Sequence, residues 1–156
     1  MKKHLLTFFI AFLFLFTSSQ AQVELLGELT KEEILEKLPD WQAVVASYTP
    51  KPEVIEKLKS INREIQIEVF LGTWCPDSKA HVSAYFKIME LVENPLLRTT
   101  YIGLPQEKQA RQEFIEGKNI VRIPTFIVTM NNQEKGRIIE TPVKSVEEDL
   151  LDITNK

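Results

Sequence analysis

Ile65-Gln66-Ile67-Glu68-Val69-Phe70-Leu71-Gly72-Thr73-Trp74-Cys75-Pro76-Asp77-Ser78-Lys79 is the stretch whose reading decides the architecture. Ile65, Ile67, Val69 and Leu71 alternate with Gln66, Glu68 and Phe70, the two-residue period of a β-strand, and Gly72 ends the run. From Ser78 onward Val82, Tyr85, Phe86, Met89 and Val92 recur at helical spacing until Asn94-Pro95 stops them. Cys75 therefore stands where a strand turns into a helix. At that place the free N–H groups and the positive end of the helix dipole face the sulfur and favour the thiolate, which is the nucleophile. Pro76 suits the first helical turn, where its missing N–H is not needed. Ser78 can offer a hydroxyl and a backbone N–H to the same sulfur, whereas Asp77 adds an opposing negative charge.

Outward from this stretch the pattern continues in short elements. Downstream, Leu97 to Leu104 reads as a second strand and Gln106 to Glu116 as a polar helix closed by Gly117. Thr125 to Met130 reads as a third strand, Asn131-Asn132 as a turn and Arg137 to Glu140 as a fourth strand. Ser145 caps a last helix carrying Val146, Leu150, Leu151 and Ile153. Upstream, Thr30-Lys31-Glu32-Glu33 is a capping-box pattern, and the apolar stripe Ile34, Leu35, Leu38 stops before Pro39. Trp41 to Tyr48 is a second short amphipathic piece. After Pro50 and Pro52 a third runs from Glu53 to Ile61. The order, helices followed by β-α-β-α-β-β-α, predicts an α/β domain with a four-stranded mixed sheet and helices on both faces. Residues 22–60 form an N-terminal helical extension packed on the same core.

The chain has 156 residues, room for one ordinary domain, and its 44% apolar and 26% charged composition is that of a globular protein. A net charge of −3 without a basic stripe argues against nucleic acid as a partner. His4, His81 and one cysteine supply no metal-ligand set, so neither a metal nor a cofactor is expected. Lys2, Lys3 and His4, then the apolar run Leu5 to Phe16, then Thr17-Ser18-Ser19-Gln20-Ala21 follow the order of a secretory signal peptide. Ser19 and Ala21 are the small residues of a cut between Ala21 and Gln22. The apolar run falls short of the roughly 20 residues a membrane span needs, so no stable anchor is expected after cleavage. The expected location is secreted or periplasmic. An exported protein normally pairs its cysteines, and a single one can form no internal disulfide. Such a thiol is reactive, bonded to another molecule, or buried and inert.

Two segments together resemble a known family. Thr73-Trp74-Cys75-Pro76-Asp77-Ser78-Lys79 resembles the Trp-Cys-x-x-Cys-Lys site of thioredoxins, and Val121-Arg122-Ile123-Pro124-Thr125-Phe126 resembles their Ile-Pro-Thr segment, whose proline is cis. They occur in the family's order, each beside an expected strand, and the resemblance runs over residues 53–156. It implies Cys75 as the reactive residue, with Trp74, Pro76, Ser78 and Pro124 supporting it. It also implies an Ile123 backbone that pairs with an extended substrate strand, and Arg122 is placed to meet a substrate carboxylate such as that of glutathione. His81 is poorly placed as a base for the thiol.

Two departures from the family limit what Cys75 can do. Ser78 stands where thioredoxins carry the second cysteine, which attacks the mixed disulfide and releases the substrate; a serine cannot do this. Val69 stands where they carry a buried aspartate assigned to proton transfer. The expected chemistry is therefore monothiol exchange: mixed-disulfide formation, isomerisation or deglutathionylation, resolved by an outside thiol. Its partners are thiol- or disulfide-containing proteins, or a small thiol such as glutathione. The competing readings are a non-catalytic, chaperone-like binding module and a homodimer linked through Cys75.

Overall fold

The computed structural model describes residues 23–156; the expected signal peptide lies outside them. The elements in chain order are β1 (Gly27–Leu29), α1 (Lys31–Lys37), α2 (Pro39–Ser47), α3 (Pro52–Lys59), β2 (Ile65–Leu71), α4 (Pro76–Val92) and β3 (Leu97–Gly103). A 3₁₀ turn (Gln109–Arg111) then leads into α5 (Gln112–Ile115), followed by β4 (Thr125–Met130), β5 (Gln133–Ile139) and α6 (Val146–Thr154). The sheet order is β1-β3-β2-β4-β5, with β2 and β3 parallel and every other neighbouring pair antiparallel. The mixed α/β class agrees with the sequence, but the sheet has five strands rather than four. The added strand, Gly-Glu-Leu, is too short for an alternation to be read, and it exists because β3 offers it an edge.

That edge can be used because position 103 is glycine. A Cβ there would lie 2.2 Å from the Leu25 carbonyl oxygen, so any side chain would push the N-terminal segment off β3. Capping fixes the starts of α1 and α6, both of which pack into the main core. The Thr30 hydroxyl accepts from Glu33 N–H while the Glu33 carboxylate takes Thr30 N–H, closing the box expected from the sequence. The Ser145 hydroxyl accepts from Glu148 N–H at the head of α6.

The two faces of the sheet are covered unequally. Ile65, Ile67, Val69 and Leu71 of β2 point into the main core with Trp41, Ile55, Leu58, Val82, Tyr85, Phe86, Phe126 and Leu150. Here α4 packs against α2, α3 and α6, so the extension shares the core of the domain and is not an appendage. Phe70, alternating to the other side, joins Leu104, Ile123, Ile127 and Cys75 in a smaller cluster, backed by Phe114 and Ile115 of α5. The polar helix expected over Gln106 to Glu116 shrinks to the 3₁₀ turn and α5. Its first residues are bound elsewhere: Glu24 takes Gln106 N–H at 2.6 Å, and Arg111 donates to the carbonyls of Pro105 and Gln106, both at 2.8 Å.

Candidate active site

The end of β2 delivers Gly72 and Thr73 to the sheet's upper edge, where the chain turns sharply. Cys75 N–H donates to the Gly72 carbonyl at 2.9 Å, and Cys75 itself is the N-cap residue of α4, its carbonyl taking Lys79 N–H at 3.0 Å. Pro76 occupies the first helical position. Cys75 is 8% exposed, and its Sγ donates to the Ile123 carbonyl, 3.8 Å away. The two segments that carried the resemblance thus meet at one sulfur. The Ile123–Pro124 peptide bond is cis.

Ser78 is fully buried, and its hydroxyl accepts from Gly72 N–H at 3.1 Å. It ties the helix to the strand end instead of reaching the sulfur. Val69 is buried in the main core. Trp74 forms part of the wall beside the thiol: its indole N–H donates to the Leu104 carbonyl at 2.9 Å, and the Arg111 guanidinium lies 5.0 Å from the ring centroid, within cation–π range. Gly72 leaves room for this arrangement, since a Cβ there would sit 2.7 Å from the Trp74 ring and 2.8 Å from Ile123 Cδ1. Arg122 is exposed and bonded to Glu140 at 2.7 Å, so a substrate carboxylate would have to displace that partner. His81 is half-buried on α4; burial pushes its pKa down, against the opposing pull of the Asp77 charge.

Some functional geometry was not read from the sequence. Cys75 lies in a cleft of about 890 Å³, and one of its walls is built by the extension: Val23, Lys37, Leu38, Pro39, Asp40 and Trp41. Thr73, Trp74, Pro76 and Lys79 form the other wall. Two sets of contacts hold the walls together. Thr73 donates its hydroxyl to the Val23 carbonyl at 2.6 Å and accepts from Leu25 N–H at 3.1 Å, and Lys79 donates to the Asp40 carboxylate at 2.5 Å. A strand-end threonine and a helix-start aspartate carry no signal of such pairing in a single sequence. Among the described residues, no group of three His, Cys, Asp or Glu side chains is arranged to hold a metal ion.

A thioredoxin family model matches residues 28–151. No curated protein matches the sequence. Among solved structures, a protein of unknown function from Pseudomonas aeruginosa is similar at 20% identity and a TM-score of 0.62, covering 83% of this chain and 92% of its own. An HIV epitope-scaffold is similar at 20% identity and a TM-score of 0.61, covering 83% of this chain and 93% of its own. At that identity the two structures speak for the fold.

Proposed function

The chain belongs to the thioredoxin family, and from that premise we propose that it catalyses monothiol thiol–disulfide exchange at Cys75. The observation that carries this reading is the position of the sulfur. It sits at the N-cap of α4, within reach of the Ile123 carbonyl and on the wall of an open cleft. In the reaction the Cys75 thiolate attacks one sulfur of a disulfide. A new S–S bond forms to Cys75, the old S–S bond breaks, and the other sulfur leaves as a thiolate that takes up a proton. No net oxidation occurs. With Ser78 in place of a second cysteine, release needs an outside thiolate, which attacks the mixed disulfide and returns Cys75 as a thiolate. Trp74 and Pro76 shape the approach, and Ile123 offers its backbone to the substrate.

Glutathione disulfide is the simplest test. The native protein is expected to gain one glutathione, mapped by mass spectrometry to Cys75, and to lose it on addition of dithiothreitol. Cys75→Ala is expected to gain none. A native protein that stays unmodified while the urea-unfolded chain reacts would mark Cys75 as a buried, inert thiol and end the proposal.

The reading extends to location: residues 1–21 act as an export signal, and the working protein is secreted or periplasmic. Intact-mass analysis of protein recovered from outside the cytoplasm is expected to show a chain beginning at Gln22. Finding the full-length chain there would contradict cleavage.

A further inference from the structure

We infer that the cleft between the extension and the head of α4 is a recognition site for the polypeptide of a protein substrate, favouring an apolar residue beside the attacked cysteine and an acidic residue beyond it. The inference rests on the proposed exchange chemistry and names its substrate class. Ile123 and Pro124 are not among the cleft's walls, so it opens on a different side of the sulfur from the segment that offers backbone pairing. An extended chain bonded to Cys75 can therefore use both. At about 890 Å³ the cleft is at the upper end of the roughly 300–1,000 Å³ of ligand pockets, more than a small thiol fills. Its apolar walls are Val23, Leu38, Pro39, Trp74 and Pro76, a surface for an apolar side chain.

The charges on the walls specify the rest. Lys79 is neutralised by Asp40 at 2.5 Å, whereas Lys37, more than half exposed, is paired among the described residues with its neighbour Glu36 at 3.8 Å. At 3.8 Å and in solvent the Lys37–Glu36 pair is weak, so a substrate carboxylate can draw the Lys37 ammonium away from it. Breaking the Lys79–Asp40 pair would require a substrate to match its geometry, so Lys37 is the group that selects.

Two synthetic peptides test this, each with one cysteine carried as a mixed disulfide with thionitrobenzoate, whose release is coloured. One has Glu-Leu before the cysteine, the other Lys-Leu. With the wild type the acidic peptide is expected to react faster by a factor of about 1.4 to 5, the range an exposed ion pair provides. Lys37→Glu is expected to reverse the preference, with each peptide's rate taken relative to that of glutathione disulfide. Equal rates for both peptides, or a Lys37→Glu effect shared equally with glutathione disulfide, would overturn the inference. If Cys75 attacks no disulfide at all, the exchange reading fails and the cleft is judged separately. Cys75→Ala titrated with the reduced peptides, read by tryptophan fluorescence, must then still bind the acidic one more tightly, and equal binding sinks it.

Discussion

Replacing Ser78 with cysteine is expected to convert the protein from one that holds a mixed disulfide into one that discharges it. Position 78 lies three residues into α4 from the N-cap cysteine, and at that spacing the two Cα atoms are about 5 Å apart, within the range a disulfide spans. The new thiol would attack the Cys75 mixed disulfide intramolecularly. Its effective concentration would be millimolar or higher, so discharge should run about 10³-fold faster or more than with micromolar external thiol. The cost is local: Gly72 N–H loses the Ser78 oxygen, a bond worth about 1 kcal/mol. The measurement is the lifetime of the glutathione adduct after free thiol is removed. The wild-type adduct should persist, while the Ser78→Cys adduct should give way to an internal disulfide with glutathione released. An adduct that persists equally in both would show that residue 78, fully buried as it is, cannot reach the sulfur.

This prediction depends on features of unequal legibility. The strand over Ile65–Leu71 and the helix after Cys75 were readable because periodicity and burial coincide, and the strand over Thr125–Met130, buried almost throughout, was readable as a short apolar run bounded by Pro124 and Asn131. β5 begins four residues earlier than the Arg137 start read from the sequence, with Gln133, Glu134 and Lys135 inside it. It is an edge strand whose first residues, Gln133 and Glu134, are exposed, and their polarity hides the alternation. The helix expected over Gln106–Glu116 is shorter because its start is held by other partners: Glu24, far away in the chain, takes Gln106 N–H, and Arg111 takes the Gln106 carbonyl that a helix would give to Ala110 N–H. The same holds at the site. Cys75, Trp74, Pro76, Ile123 and Pro124 were named from local motifs. The extension's contribution to the cleft depends on Thr73–Val23 and Lys79–Asp40, pairs distant in the chain with no local mark.

Those distant pairs also bear on what holds the site in place, which leads to the second large expected effect: Trp41→Ala should destabilise the whole domain by about 3–5 kcal/mol. Trp41 is 1% exposed and belongs to the main core, yet its helix has little stability of its own. α2 starts at Pro39, and its N-cap, Leu38, makes no side-chain cap bond. The helix is held by what Trp41 and Val45 bury against the core. If the extension were a separable appendage, losing Trp41 would release α1 and α2 and leave the sheet and α4 folded. Its packing on α4 argues the opposite. Urea unfolding followed by tryptophan fluorescence and by far-UV circular dichroism should give one coincident transition in both proteins. The variant's midpoint should be lower and its slope unchanged, and its melting temperature should fall by roughly 10 °C or more. Two separated transitions in the variant would show the extension unfolding first, and the cleft would then be built by an element that can leave. A single transition ties the wall that recognises substrate to the helix that presents Cys75, so recognition and attack would be lost together on unfolding and neither could be retained alone.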